Sequence, residues 1–285
     1  MYAPHPILTV LAALAAAPLI GGLMAGIDRK LTARIQGRMG PPILQPFYDL
    51  GKLFSKEPVA LHGLQIFYLV LHLAFMMLTL VMLVMGQDLL LILFLHAFAA
   101  ISLILAAMSV RSPYSRIGAQ RKIMQILAYE PILVLLAVGT YLSVGTFEAV
   151  GVMDFPYPLI DDMPLGFLAY FTVLLIKMEK SPFDVATSHH AHQELVKGVT
   201  VEVSGPYLGL VELAHFYESA ILFGVAAFFC APHPIIGGAL SAACFLGVIL
   251  VDNLCARLRT FGMVRFMWSL PLAFALANVT WLYLA

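Results

Sequence analysis

Apolar residues run along this chain in long stretches separated by short polar ones. Stretches able to cross about 30 Å of hydrocarbon cover 6–27, 64–85, 89–110, 123–145, 205–229, 234–254 and 266–285, and a shorter one covers 164–178. Nothing shows the ten-residue alternation of a transmembrane barrel. In lipid the backbone must bond internally, so the runs read as helices. The pattern predicts an all-α polytopic membrane protein with about eight transmembrane helices. It forms a single membrane domain over 1–285, with two long loops at 28–63 and 177–204. In the first of these loops, residues 47–54 form an amphipathic stretch that reads as an interfacial helix.

Composition excludes the soluble alternative. Hydrophobic residues make up 61% of the chain and charged residues 11%, against roughly 45–50% and 25% in soluble domains. The first run is preceded by no Lys or Arg, so it reads as a retained helix rather than a signal peptide. The formal net charge is zero, which argues against a nucleic-acid binder. Cys230, Cys244 and Cys255 are scattered without any CxxC pair, so no metal site and no iron–sulfur cluster is expected in this chain.

The distribution of charge says more than its sum. All sixteen Lys and Arg fall in the segments 28–63, 111–122, 177–204 and 255–265, and none falls in the alternate set of connections. The positive-inside rule assigns the basic side to the cytoplasm, which leaves both termini extracytoplasmic.

Ionisable residues within the runs are costly and usually functional. Glu130 precedes Pro131, which removes a backbone donor and leaves a carbonyl for water or a side chain. Glu212, His215 and Glu218 follow at three-residue steps and share one helix face. Asp252 lies near the end of the seventh run, and Glu179 just past the short one. No Lys or Arg stands near mid-membrane to pair Glu130, Glu212 or Glu218, so they read as proton- or cation-exchanging groups. His72 and His96 are expected to be helix–helix hydrogen-bond partners. His189, His190 and His192 cluster beside Asp184, Glu194 and Glu202. Three His so close in sequence make a poor metal geometry, and groups titrating near neutrality suit proton exchange with a docked partner.

These residues resemble a known family. Arg34-Ile-Gln-Gly-Arg-Met-Gly-Pro41 is similar to the arginine-glycine-proline signature after the first helix of the H-type membrane subunit of respiratory complex I, called NADH dehydrogenase subunit 1 in mitochondria. Phe47-Tyr-Asp-Leu-Gly-Lys-Leu-Phe-Ser-Lys-Glu57, Tyr129-Glu130, and Glu179 with Ser181-Pro-Phe-Asp184 continue the resemblance, as do Glu194-Leu-Val-Lys-Gly198 and Glu202-Val-Ser-Gly205. It runs in order over most of the chain. Three departures are visible. Pro42 replaces the usual Asn, the stretch 186–193 is longer and reads Ala-Thr-Ser-His-His-Ala-His-Gln, and an acid expected along the sixth helix is replaced near His215. All three fall around that family's quinone-facing cavity. The His-rich variant resembles the corresponding subunit of Ech-type energy-converting nickel–iron hydrogenases.

The resemblance implies an integral membrane subunit in the cytoplasmic (inner) membrane of a prokaryote. It would dock hydrogenase large and small subunits, a ferredoxin-like iron–sulfur subunit and an antiporter-like membrane subunit. The NiFe centre and the iron–sulfur clusters belong to those partners. Glu130, Glu179, Asp184, Glu194 and Glu202 match the family's line of coupling acids, and burial adds Glu212, His215, Glu218 and Asp252. Arg34, Arg38, Gly40, Pro41, His189, His190 and His192 are the expected docking residues. The quinone-site membrane subunit of a complex I-type NADH:quinone oxidoreductase is the alternative within the family. A stand-alone ion-coupled transporter is the alternative from another class, although the two halves of the chain show no self-similarity. A purely structural anchor would tolerate loss of the buried acids.

Overall fold

The computed structural model describes residues 6–59, 62–184 and 197–284. His189, His190, His192 and Glu194 lie outside the described residues. The chain begins with α1 (Pro6–Ile35), the short amphipathic α2 (Gln45–Phe54), α3 (Gly63–Val84) and α4 (Leu89–Met108). It continues through α5 (Pro113–Val144), two short helices α6 (Ala149–Asp154) and α7 (Leu159–Asp162), and α8 (Pro164–Lys177). After a 3-10 turn at Gly198–Thr200 come α9 (Gly205–Phe228), α10 (Pro234–Leu254) and α11 (Thr260–Leu284). Seven of these helices are long and apolar enough to cross a membrane, and α8 is a shorter apolar helix of 14 residues. The protein is an all-α, multi-pass membrane protein.

Three boundaries differ from the hydropathy reading. Helix α1 continues past residue 27 to Ile35, α5 starts at Pro113 rather than 123, and α11 starts at Thr260 rather than 266. Hydropathy marks where a helix leaves hydrocarbon, but the helix itself persists until the chain supplies a stop. For α1 that stop is Gly37 at φ 70°, a left-handed conformation that favours glycine. For α5 the start is Pro113 at the first helical position. The 146–163 connection also contains α6 and α7 instead of running as plain loop.

The packing is built around α9 and α5. Helix α9 lies against α1, α2, α3 and α10, while α5 lies against α4, α8 and α11. Helices α3 and α4 form a hairpin, closed by Gly86 at φ 69°. Asp88 caps α4 by accepting from the Leu90 and Leu91 amides at 2.8 and 3.2 Å, which satisfies two of the helix's orphan donors. Gly21 lets α1 approach α9 so closely that a Cβ there would collide with the Phe216 carbonyl. Large apolar side chains such as Phe67, Phe94, Ile235 and Trp281 are more than half exposed, as hydrocarbon-facing surfaces require.

Pro131 has the effect its missing donor implies. It frees the Leu127 carbonyl one turn earlier on α5, and Trp268 of α11 donates its indole N–H to that oxygen at 3.2 Å. A sequence break on one helix thus becomes a tie to another.

Candidate functional site

The shortness of α8 creates the site. At 1.5 Å per residue it is about 21 Å long, well short of the hydrocarbon thickness. Its last residue, Lys177, therefore lies within the bundle rather than at its rim, and its side chain is only 3% exposed. The Lys177 ammonium donates to Glu218 Oε1 at 3.0 Å and sits 4.6 Å from the centroid of the Tyr129 ring, a cation–π distance.

Glu218, near the middle of α9, gathers two imidazoles as well. His96 of α4 brings Nε2 within 3.4 Å of Glu218 Oε1, and His215 brings Nδ1 within 3.4 Å of Oε2. His72 of α3 stands edge-on to His215, with ring centroids 6.5 Å apart. Its Nδ1 donates to the Ala99 carbonyl at 2.8 Å, which fixes Nε2 as the acceptor of the neutral ring. Side chains from α4, α8 and α9 itself thus converge on one buried carboxylate, with His72 of α3 behind His215.

This corrects the expectation that Glu218 has no basic partner near mid-membrane. Lys177 and Lys122, both assigned to loops by hydropathy, are buried in the bundle. Lys122 donates to Glu179 Oε1, so Glu179 also has a cationic partner. Glu179 itself adopts φ 51°, a left-handed backbone uncommon for a non-glycine residue. His72 makes the expected helix–helix hydrogen bond, from α3 to the Ala99 carbonyl of α4, whereas His96 faces the Glu218 carboxylate. The signal for Lys177 was present in the sequence. An apolar run too short to span implies that the charges ending it sit at membrane depth.

The Ser181–Asp184 motif is held by a second constellation. Lys180 Nζ donates to Asp28 Oδ2 at 2.6 Å and to Asp252 Oδ2 at 3.2 Å. The Ser181 amide donates to Asp252 Oδ1 at 2.9 Å. Gln125 donates to the Phe183 carbonyl at 3.0 Å, and the Leu258 amide donates to the Pro182 carbonyl at 2.8 Å. Asp252 therefore sits in this anchor, apart from the Glu218 cluster. Burial alone would favour neutral Lys180, but the Asp28 and Asp252 carboxylates more than offset it and hold its ammonium above the ordinary lysine value.

The remaining expected residues are more dispersed. Glu130 is half-buried on α5, and its Oε2 has no hydrogen-bond partner among the described residues. Lys177 is the charged side chain acting on it. Glu212 is half-buried one turn before His215, and Glu202 and Asp184 are half-buried in the connection before α9. Arg34, Arg38 and Gly40 are exposed at the end of α1 and in the turn after it, with Pro41 half-buried beside them. Arg38, Gly40 and Pro41 line an open groove of about 420 Å³ together with Arg29 and Thr32.

A polytopic helical bundle with a buried lysine–glutamate–histidine cluster defines a class of membrane protein rather than a particular one. Comparisons with known proteins are more specific. Residues 7–283 match the family described as NADH dehydrogenase. The H-type subunit of NADH-quinone oxidoreductase from Dehalococcoides mccartyi is 29% identical over 283 residues, covering 89% of this chain and 79% of that one. Formate hydrogenlyase subunit 4 of Escherichia coli is 29% identical over 303 residues, covering 93% of this chain and 94% of that one. Among solved structures, a chain of the membrane-bound sulfane sulfur reductase, an archaeal respiratory membrane complex, superposes with a TM-score of 0.89 at 26% identity, covering 97% of this chain and 99% of that one. The chain belongs to the NADH dehydrogenase subunit 1 family. Its relatives include subunits of hydrogenase-type membrane complexes as well as of quinone-reducing ones.

Proposed function

We propose that this chain is the membrane subunit that docks a hydrogenase and iron–sulfur redox module and couples its electron transfer to H+ or Na+ translocation. In this reading the basic end faces the cytoplasm and receives the module at the Arg34–Pro41 turn and the 177–204 connection. Electrons stay in the partner subunits, which hold the NiFe centre, the clusters and the ferredoxin-like carrier. This chain changes the affinity of its buried acids for the transported ion and hands that ion to an antiporter-like neighbour.

One observation carries the coupling. Lys177 and Glu179 stand two positions apart where α8 ends, and each is ion-paired to a different helix, Lys177 to Glu218 on α9 and Glu179 to Lys122 on α5. A displacement of the connection that begins there would act on both pairs together. A buried pair of this kind is weak as a stabilising device, because desolvation opposes its attraction. It is well suited to a group whose protonation must respond to a small movement.

The test is isolation of the complex through a tag on this chain, followed by ion pumping in sealed vesicles driven by reduced ferredoxin. Glu218→Gln is expected to keep most hydrogen evolution while ion uptake falls at least tenfold. Pumping at the parent rate in both Glu218→Gln and Glu130→Gln defeats the coupling role. A co-isolated quinone-reducing module, with inhibition by quinone-site ligands, favours the complex I alternative instead.

A further inference from the structure

The start of α8 lacks a cap of its own. Pro164 opens the helix without a backbone donor, and the N-cap residue Met163 makes no side-chain cap bond. The Phe167 amide bonds the Met163 carbonyl at 2.9 Å. The Gly166 amide is an orphan donor of the first turn, and Gly166 is buried. Its acceptor comes from another helix. Asn278 of α11 accepts from the Gly166 amide through Oδ1 at 3.0 Å and donates through Nδ2 to the Asp162 carbonyl at 3.0 Å.

Asn278 is out of character with its surroundings. The buried stripe of α11 is Met263, Met267, Pro271, Ala275 and Asn278, and its first four members are apolar. A polar side chain only 3% exposed within an apolar run acts as glue between helices. Here it grips the junction of α7 and α8 on both sides.

The height of α8 in the bundle follows from that grip. Its principal neighbours are α11 and α5 rather than α9, although Lys177 must meet Glu218 on α9. Midway, Tyr170 donates to the Leu222 carbonyl of α9 at 2.7 Å, a single bond, whereas the start of α8 has a two-point hold. A helix is stiff along its axis and rises 1.5 Å per residue, so Lys177 lies about 16 Å beyond Gly166. A slip at the start of α8 is therefore carried to Lys177. The space that receives its ammonium is narrow, between Glu218 at 3.0 Å and the Tyr129 ring at 4.6 Å.

We propose that Asn278 is a positioning residue for the Lys177–Glu218 pair, setting the height of α8 from the opposite end of the helix. Its consequence for ion transfer rests on the coupling role proposed above, whereas its effect on the pair does not.

The test uses the intact complex isolated through a tag on this chain, in the parent and in Asn278→Leu, which removes both hydrogen bonds. Glu218→Gln is introduced into each, and thermal unfolding is followed. The drop in transition temperature caused by Glu218→Gln is expected to shrink to less than half in the Asn278→Leu background, because Lys177 no longer stands opposite residue 218. With Glu218 present, Asn278→Leu is expected to lower ion uptake per hydrogen evolved at least threefold. Asn278→Ser, too short to bridge both partners, carries the same comparison if Asn278→Leu does not assemble. An equal drop in both backgrounds would make Asn278 a cap and nothing more, which overturns the proposal. Failure of both variants to assemble overturns it too. A shrunken drop together with parental pumping in Glu218→Gln would defeat the coupling role and leave the positioning role standing.

Discussion

Lys177 and Glu218 meet at 3.0 Å in the interior of the bundle, although one ends a helix and the other lies near the middle of another. Removing either partner leaves a buried charge uncompensated, which typically costs about 3–5 kcal/mol. Lys177→Met and Glu218→Gln are each expected to destabilise the protein by an amount of that order. The double variant is expected to recover most of the loss, because no charge is then stranded. Thermal unfolding of the detergent-solubilised protein checks this, and additive losses in the double variant would contradict it.

The Lys180 anchor has a pH signature. Its ammonium is held above the ordinary value of 10.5 by Asp28 and Asp252. The folded state thus binds this proton more tightly than the unfolded chain does. Its contribution to stability is therefore full below pH 10.5 and lost as pH rises through the higher folded value. Lys180→Met is expected to lower thermal stability at neutral pH and to flatten the alkaline fall in stability. A parallel alkaline curve in the variant would exclude Lys180 as the titrating group.

Trp268 and Pro131 are expected to be energetically coupled through the Leu127 carbonyl. Trp268→Phe removes the 3.2 Å hydrogen bond and should cost about 1 kcal/mol. Pro131→Ala restores a backbone donor within α5 that competes for the same oxygen. Trp268→Phe is expected to cost less in the Pro131→Ala background. A double-mutant cycle measures the difference, and a coupling of zero refutes the link.

The close approach of α1 and α9 places a steric limit beside the charge cluster. Gly21→Leu cannot be accommodated against the Phe216 carbonyl without moving α1, and overpacking of this kind costs about 1–3 kcal/mol. Phe216 directly follows His215, so the variant is expected to disturb the His215–Glu218 contact and to lower ion coupling more than Gly238→Leu. Gly238 has open space around it. Equal effects of the two substitutions would show that the α1–α9 contact does not support the site.

Much of the architecture was legible in the sequence because bilayer thickness is a strict ruler. Apolar length alone marks the spans, and clustering of all Lys and Arg in alternate connections gives the expected orientation. The amphipathic 47–54 stretch falls within α2, and the carbonyl exposed by Pro131 found its partner. Glu218 and His215 were legible as site candidates, because their spacing places them on one helix face whatever surrounds it.

Their chemistry was not legible. Hydropathy assigns a lysine to the nearest polar segment, so Lys122 and Lys177 read as loop residues and Glu218 as an acid without a partner. The shortness of the 164–178 run already hinted that Lys177 lies deep, but only the packing of α5, α8 and α9 shows that it meets Glu218 and that Lys122 meets Glu179. Which imidazoles share the carboxylate depends on residues far apart in the chain. The sequence determined where the membrane lies and which groups inside it are costly. The tertiary structure decided which of those costs cancel, because an ion pair depends on distance in space and not on distance along the chain.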